Sequence, residues 1–214
     1  MLDYLESPAQ AKPLARMFWL HGLGADGDDL EPVAEALEIA GIHHVLPHAP
    51  VRPVTLNGGL AMRAWYDIAG PDLRWREDAG GMKASVMEIQ ALIEHFRQNM
   101  DVPVILAGFS QGAVISLLTA ANGIPHLRCV AALSGYVAQS LTPAAEPDRL
   151  HELPVFMAHG IQDEVIPLSL AQQGHLALSA LGAQVDWHEY LMPHSICQQE
   201  IDDLRVWIKG LLAI

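Results

Sequence analysis

Short runs rich in Val, Ile and aromatic residues alternate along this chain with longer segments whose apolar residues recur every three or four positions. That alternation constrains the fold more than any other feature, because strands joined by helices lie parallel and need cover on both faces. Six runs carry the strand pattern, at residues 17–20, 44–47, 104–109, 129–133, 155–158 and 185–190, each closing near Gly, Pro or a turn. Between them a helix is predicted over 29–37, opening on an acidic cap with Pro32 in its first turn. Met82, Val86, Ile89, Ile93 and Phe96 form one face of a second helix, and others are predicted over 111–121, 167–181 and 195–212. The expectation is an α/β fold with a mostly parallel central sheet flanked by helices, in one domain spanning 1–214. Residues 55–81 show no period yet contain Trp65, Tyr66 and Trp75, and a connection of that length is expected to pack beside a site.

The chemistry begins at Gly108-Phe109-Ser110-Gln111-Gly112, which sits where a strand pattern turns into a helix pattern. Glycines two before and two after a serine let the backbone fold sharply and hold the hydroxyl above the sheet, while the new helix offers free N–H groups. A capping serine in an ordinary turn is the alternative. A serine hydroxyl needs a histidine to take its proton and a carboxylate to orient that histidine. Asp163, in the loop after the strand at 155–158, supplies the acid, with Glu164 as the neighbouring alternative. His194, after the last strand, supplies the base; His188 is a weaker candidate because a strand fixes its direction. Ser110, Asp163 and His194 then follow the chain order that α/β-hydrolases use.

A further loop, Leu20-His21-Gly22-Leu23-Gly24-Ala25-Asp26-Gly27, follows the first strand pattern. Its glycines let the Leu23 amide join the Gln111 amide as donors to an oxyanion. The glycine spacing also matches a dinucleotide loop, but the second strand ends without the acidic residue such a loop requires. His43, His44 and His48 cluster in sequence, yet Pro47 breaks any helix that would align them, and no metal is expected.

With 12 Lys and Arg against 25 Asp and Glu, the net charge of −13 repels nucleic acid and anionic lipid. Two cysteines, Cys129 and Cys197, fit a reducing compartment. The acidic first ten residues do not resemble a secretory signal, and apolar stretches such as 102–109 and 129–138 are too short to span a bilayer. A cytoplasmic protein without stable membrane insertion is expected.

Taken together, these segments resemble the bacterial carboxylesterase and acyl-protein thioesterase family, a small branch of the α/β-hydrolases without a large lid. The resemblance runs through residues 20–26, Pro47-His48-Ala49-Pro50, Arg52-Pro53-Val54-Thr55, Arg63-Ala64-Trp65-Tyr66-Asp67-Ile68, residues 107–112 and Ala132-Leu133-Ser134-Gly135-Tyr136. It implies Ser110 as nucleophile, Asp163 and His194 as its partners, Leu23 and Gln111 as oxyanion donors, no cofactor, and in some members a homodimer. The expected reaction is hydrolysis of carboxylic esters of short to medium acyl length through an acyl-enzyme. Acyl-protein thioesterase or lysophospholipase activity is the nearest variant. An apolar groove walled by Trp65, Leu23 and Met192 is expected to take the acyl chain. The sequence departs from the family at Pro193, where many members carry Gly, and at Arg63-Ala64, where small residues are usual. A serine peptidase and a non-catalytic binding protein on the same fold are the rival readings.

Overall fold

The computed structural model describes residues 1–70, 72–73, 76–98, 102–141 and 150–214. Five of the predicted strands are the interior of one seven-stranded sheet, and the sixth, at 185–190, is one of its edges. In chain order its strands are β1 (Tyr4–Ser7), β2 (Ala15–Leu20), β3 (Ile42–Pro47), β6 (Val104–Phe109), β7 (Leu127–Leu133), β8 (Pro154–Gly160) and β9 (Gln184–Tyr190). They lie side by side as β1-β3-β2-β6-β7-β8-β9, all parallel except β1, which runs antiparallel to β3. Successive residues of β2 explain the apolar run. Met17 and Trp19 belong to one core cluster and Phe18 and Leu20 to the other, so both faces are covered.

The helices divide accordingly. Helices α2 (Ala79–Arg97), α3 (Gln111–Ala121) and α4 (Leu168–Ala180) contribute to the Phe18 cluster, while α1 (Glu31–Ala36) and α5 (Gln198–Leu212) contribute to the Trp19 cluster. The predicted helix at 29–37 is split. Asp26 accepts from the Asp28 amide to start a 3-10 turn at Gly27–Leu30, and α1 follows with Pro32 in its first turn. The last helix begins at Gln198 rather than 195.

Two features were not expected. The edge strand β1 has only four residues, none of them buried, although Ser7-Pro8 marks its end. A separate antiparallel hairpin, β4 (Val51–Val54) and β5 (Leu60–Arg63), occupies part of the aperiodic stretch. Val51 and Leu60 stay exposed and only Val54 is buried, so the hairpin has no apolar face long enough to read as a half-buried strand. Trp75 lies outside the described residues. There is no lid domain among the described residues, and none of their helices is long and apolar enough to cross a membrane.

The chain leaves β2 toward β3 on one side, and β6 pairs with β2 on the other. The strand order therefore switches between β2 and β6, and open α/β sheets form their crevices at the carboxyl ends there.

Candidate active site

Ser110 sits between β6 and α3 with φ +54° and ψ −117°, a backbone conformation L residues seldom adopt. Its amide donates to the Leu133 carbonyl on neighbouring β7 at 2.9 Å, which anchors the turn. The flanking glycines are required by space. A Cβ on Gly108 would overlap the Gly112 carbonyl, and a Cβ on Gly112 would overlap the carbonyl of Leu20 at the end of β2. The serine makes no side-chain capping bond to its own helix, which removes the capping alternative. Its Oγ lies 2.9 Å from His194 Nε2.

His194 Nδ1 lies 2.7 Å from Asp163 Oδ2. The Asp163 side chain is fully buried, and its Oδ1 accepts from the Val165 and Ile166 amides at 2.8 Å each. That turn fixes one carboxylate oxygen while the other faces the imidazole. Glu164 is exposed and makes no contact with His194, so Asp163 takes the position that the sequence left open between them. The loops carrying the two residues are joined. The Ile161 amide donates to Tyr190 and the Gln162 amide to Met192, at 2.9 and 3.1 Å. Gly160 allows this approach, because a Cβ there would overlap the carbonyls of Met192 and Pro193. Pro193 is therefore accommodated, and His194 still reaches both partners.

The amides of Leu23 and Gln111 have no acceptor among the described residues, and both residues line the cavity at Ser110. The loop that carries Leu23 is tied down by His21. Its Nε2 accepts from the Ala49 amide at 3.0 Å, so its proton is on Nδ1, 2.7 Å from the Gly22 carbonyl. Burial lowers the pKa of His21 and keeps the ring neutral.

The cavity at Ser110 has a volume of about 290 Å³, with Leu23, Leu56, Val165 and Ile166 on its walls and the rings of Tyr66 and Tyr136 alongside. The two tyrosine hydroxyls are 3.1 Å apart, and burial pushes Tyr66 well above the ordinary phenol range. Beside His194, on the side of Ile161 and Pro193, lies an open depression of about 750 Å³.

Two expected wall residues lie elsewhere. Trp65 is fully buried and acts as a strut: its indole N–H donates to the His21 carbonyl at 2.9 Å, its amide donates to Gln111 Oε1 at 2.7 Å, and its carbonyl accepts from Ser85 Oγ. Met192 is 4% exposed and packs in the Trp19 cluster, on the α1 and α5 face of the sheet. Leu23 does line the cavity. Sequence reasoning used only the backbone of Gln111. Its side chain is 2% exposed and bridges the Trp65 amide and, through Nε2 at 2.7 Å, the Tyr66 carbonyl. A long polar side chain opening an otherwise apolar helix was the available signal.

Asp26, Asp28 and His48 also approach one another, with candidate ligand atoms within 4.8 Å. His48 Nδ1 accepts from the Gly27 amide at 3.0 Å, which occupies that nitrogen's lone pair.

A parallel sheet covered on both faces, with this constellation at the carboxyl ends of β2, β6, β8 and β9, defines an α/β-hydrolase acting on esters or thioesters. Residues 6–212 match the family described as Phospholipase/Carboxylesterase, and the chain belongs to that family. It is 36% identical to acyl-protein thioesterase 1 of Mycosarcoma maydis over 94% of this chain and 92% of the relative. It is 33% identical to acyl-protein thioesterase 1 of Cryptococcus neoformans over 99% and 98%. The crystal structure of Zea mays acyl-protein thioesterase 2 superposes with a TM-score of 0.88 at 29% identity, covering 99% of this chain and 100% of that one. These relatives are fungal and plant proteins, so the family extends beyond the bacteria.

Proposed function

We propose that this chain is a serine hydrolase that removes acyl groups held in thioester linkage, with Ser110 as nucleophile. The observation that carries the reading is the single imidazole of His194 bridging Ser110 Oγ at 2.9 Å and Asp163 Oδ2 at 2.7 Å. Ser110 Oγ attacks the acyl carbonyl carbon while His194 Nε2 takes its proton, and Asp163 stabilises the resulting imidazolium. The Leu23 and Gln111 amides bind the tetrahedral oxyanion, where one donor is typically worth about 10²- to 10³-fold in rate. The C–S bond then breaks, His194 returns the proton to the departing sulfur, and water activated by the same imidazole cleaves the acyl-enzyme. The acyl chain is held in the cavity walled by Leu23, Leu56, Val165 and Ile166.

The names of the relatives support the sulfur linkage over the oxygen ester, and lipidated proteins are the substrate class they suggest. The family description supports oxygen-ester hydrolysis as the second reading, which needs the same residues.

The test has two arms. Ser110→Ala lowers turnover by about 10⁴- to 10⁶-fold and abolishes fluorophosphonate labelling, with the melting temperature nearly unchanged; retained turnover in the pure variant removes Ser110. Matched substrates carrying one acyl chain on a peptide thiol or hydroxyl then separate the linkages. Faster cleavage of the oxygen ester would place the second reading first.

A further inference from the structure

His159 is the penultimate residue of β8, its side chain is fully buried, and its sheet neighbour on β9 is Glu189. Its Nε2 lies 2.8 Å from the Ile166 carbonyl oxygen and 3.2 Å from Asp163 Oδ2. A carbonyl oxygen can only accept, so the ring proton is on Nε2 and is donated to Ile166, with Asp163 Oδ2 lying beside the same nitrogen. Nδ1 is then a bare lone pair, and it has no partner among the described residues. The charged groups that face this ring are Asp163, His194 and Glu189. Burial, helped by His194, outweighs the Ile166 carbonyl and the two carboxylates and holds His159 below the ordinary histidine range, so it stays neutral against a carboxylate.

We infer that His159 is a positioning residue for the proposed triad: its Nε2–H holds the Ile166 carbonyl, and so the turn whose amides bind Asp163, while the ring stands against Oδ2 and keeps it in the direction that His194 Nδ1 requires. The inference rests on the reading of Ser110, Asp163 and His194 as catalytic. The Val165 and Ile166 amides anchor Oδ1 alone and leave the carboxylate free to tilt about that oxygen. The buried ring of His159, 3.2 Å from Oδ2, limits that tilt. Through the Ile166 carbonyl it also holds the far end of the same turn, so one ring clamps residues 163 and 166 together. The two histidines on this oxygen are kept distinct by solvent. The His194 side chain is 16% exposed and that of His159 is 0%, so the cation formed when Ser110 gives up its proton is favoured on His194.

The amide nitrogen of Gln reaches the place of an imidazole Nε2, whereas that of Asn reaches only the place of Nδ1. His159→Gln and His159→Asn therefore leave side chains of equal polarity that differ in where the donor stands. His159→Gln is expected to keep kcat on one thioester substrate within about fivefold. His159→Asn is expected to lose about 10- to 100-fold in kcat, with KM changing less than about twofold. In an Asp163→Ala background His159→Asn should cost no more than about twofold further, since the group it positions is gone. Equal losses in the two amide variants, or an undiminished loss in the Asp163→Ala background, overturn the role. If His159→Asn does not fold, His159→Gln decides alone: a loss of about 100-fold or more at wild-type melting temperature overturns it. Retained turnover in Ser110→Ala would remove the underlying reading, whereas loss there combined with equal Gln and Asn activities removes only the role of His159.

Discussion

Glu200 is fully buried in the first turn of α5, where one carboxylate oxygen accepts from the Cys197 amide at 3.4 Å and the other has no partner among the described residues. Burial pushes this carboxyl from its ordinary 4.5 up to about 8, against a smaller opposing effect of the Cys197 amide. The folded protein therefore holds a proton that the unfolded chain releases at lower pH. An acid shifted this way supports the fold fully below about pH 4.5, and the support is lost as pH rises through about 8. At about 1.36 kcal/mol per tenfold, the loss across the whole window is at most about 5 kcal/mol. Glu200→Gln preserves the shape and the acceptor of the protonated acid and removes the ionisation. Denaturant unfolding of both proteins at about pH 6.5 and about pH 9 isolates the effect. His44, lowered by burial to about 4, has the opposite slope and acts as pH falls below about 6.5. Between the two pH values the stability of the variant relative to the parent should rise by about 2 kcal/mol. A gap that stays constant with pH would refute the argument, because it would mean that Glu200 ionises in the fold as readily as in water.

Gly112→Ala places a methyl on the Leu20 carbonyl. It should destabilise by about 1–3 kcal/mol or more and lower turnover at least about 100-fold, and a variant with parental melting temperature and rate would contradict the close approach. Gln111→Ala leaves the Trp65 N–H and Tyr66 carbonyl buried without their side-chain partner, so thermal or urea unfolding should show a loss of about 2–5 kcal/mol, although the backbone donor at 111 survives. Near-parental stability there would mean that water replaces the amide.

The buried strands and the serine turn were legible because each is fixed by a constraint that leaves a mark in sequence. Strands covered on both faces read as continuous apolar runs, and Gly108 and Gly112 record backbone contacts that exclude a side chain. Asp163 and His194 were found from their place after strands β8 and β9. Trp65 and Met192 were misplaced for a common reason: sequence tells that a side chain is apolar, but not which layer encloses it. Trp65 is fixed by Gln111 and His21, both more than 40 positions away, and Met192 turns to the opposite face of the sheet from the Phe18 cluster. Strand β1 buries no residue and the β4–β5 hairpin buries only Val54, so neither left an apolar pattern to read, although Asn57-Gly58-Gly59 marks the hairpin turn. His159 carried no signal of its role, since its bond to the Ile166 carbonyl and its approach to Asp163 depend on the ring direction at the end of β8.

The packing of Gly112 on the Leu20 carbonyl has a further consequence. Main chain rests on main chain there, so the gap between the Ser110 turn and the loop of Leu23 is set by the girth of a peptide group and not by any replaceable side chain. Residues around the cavity at Ser110 can then be exchanged for larger or smaller ones while that separation is kept. A scaffold built this way can change what it accepts without relearning how to cut it.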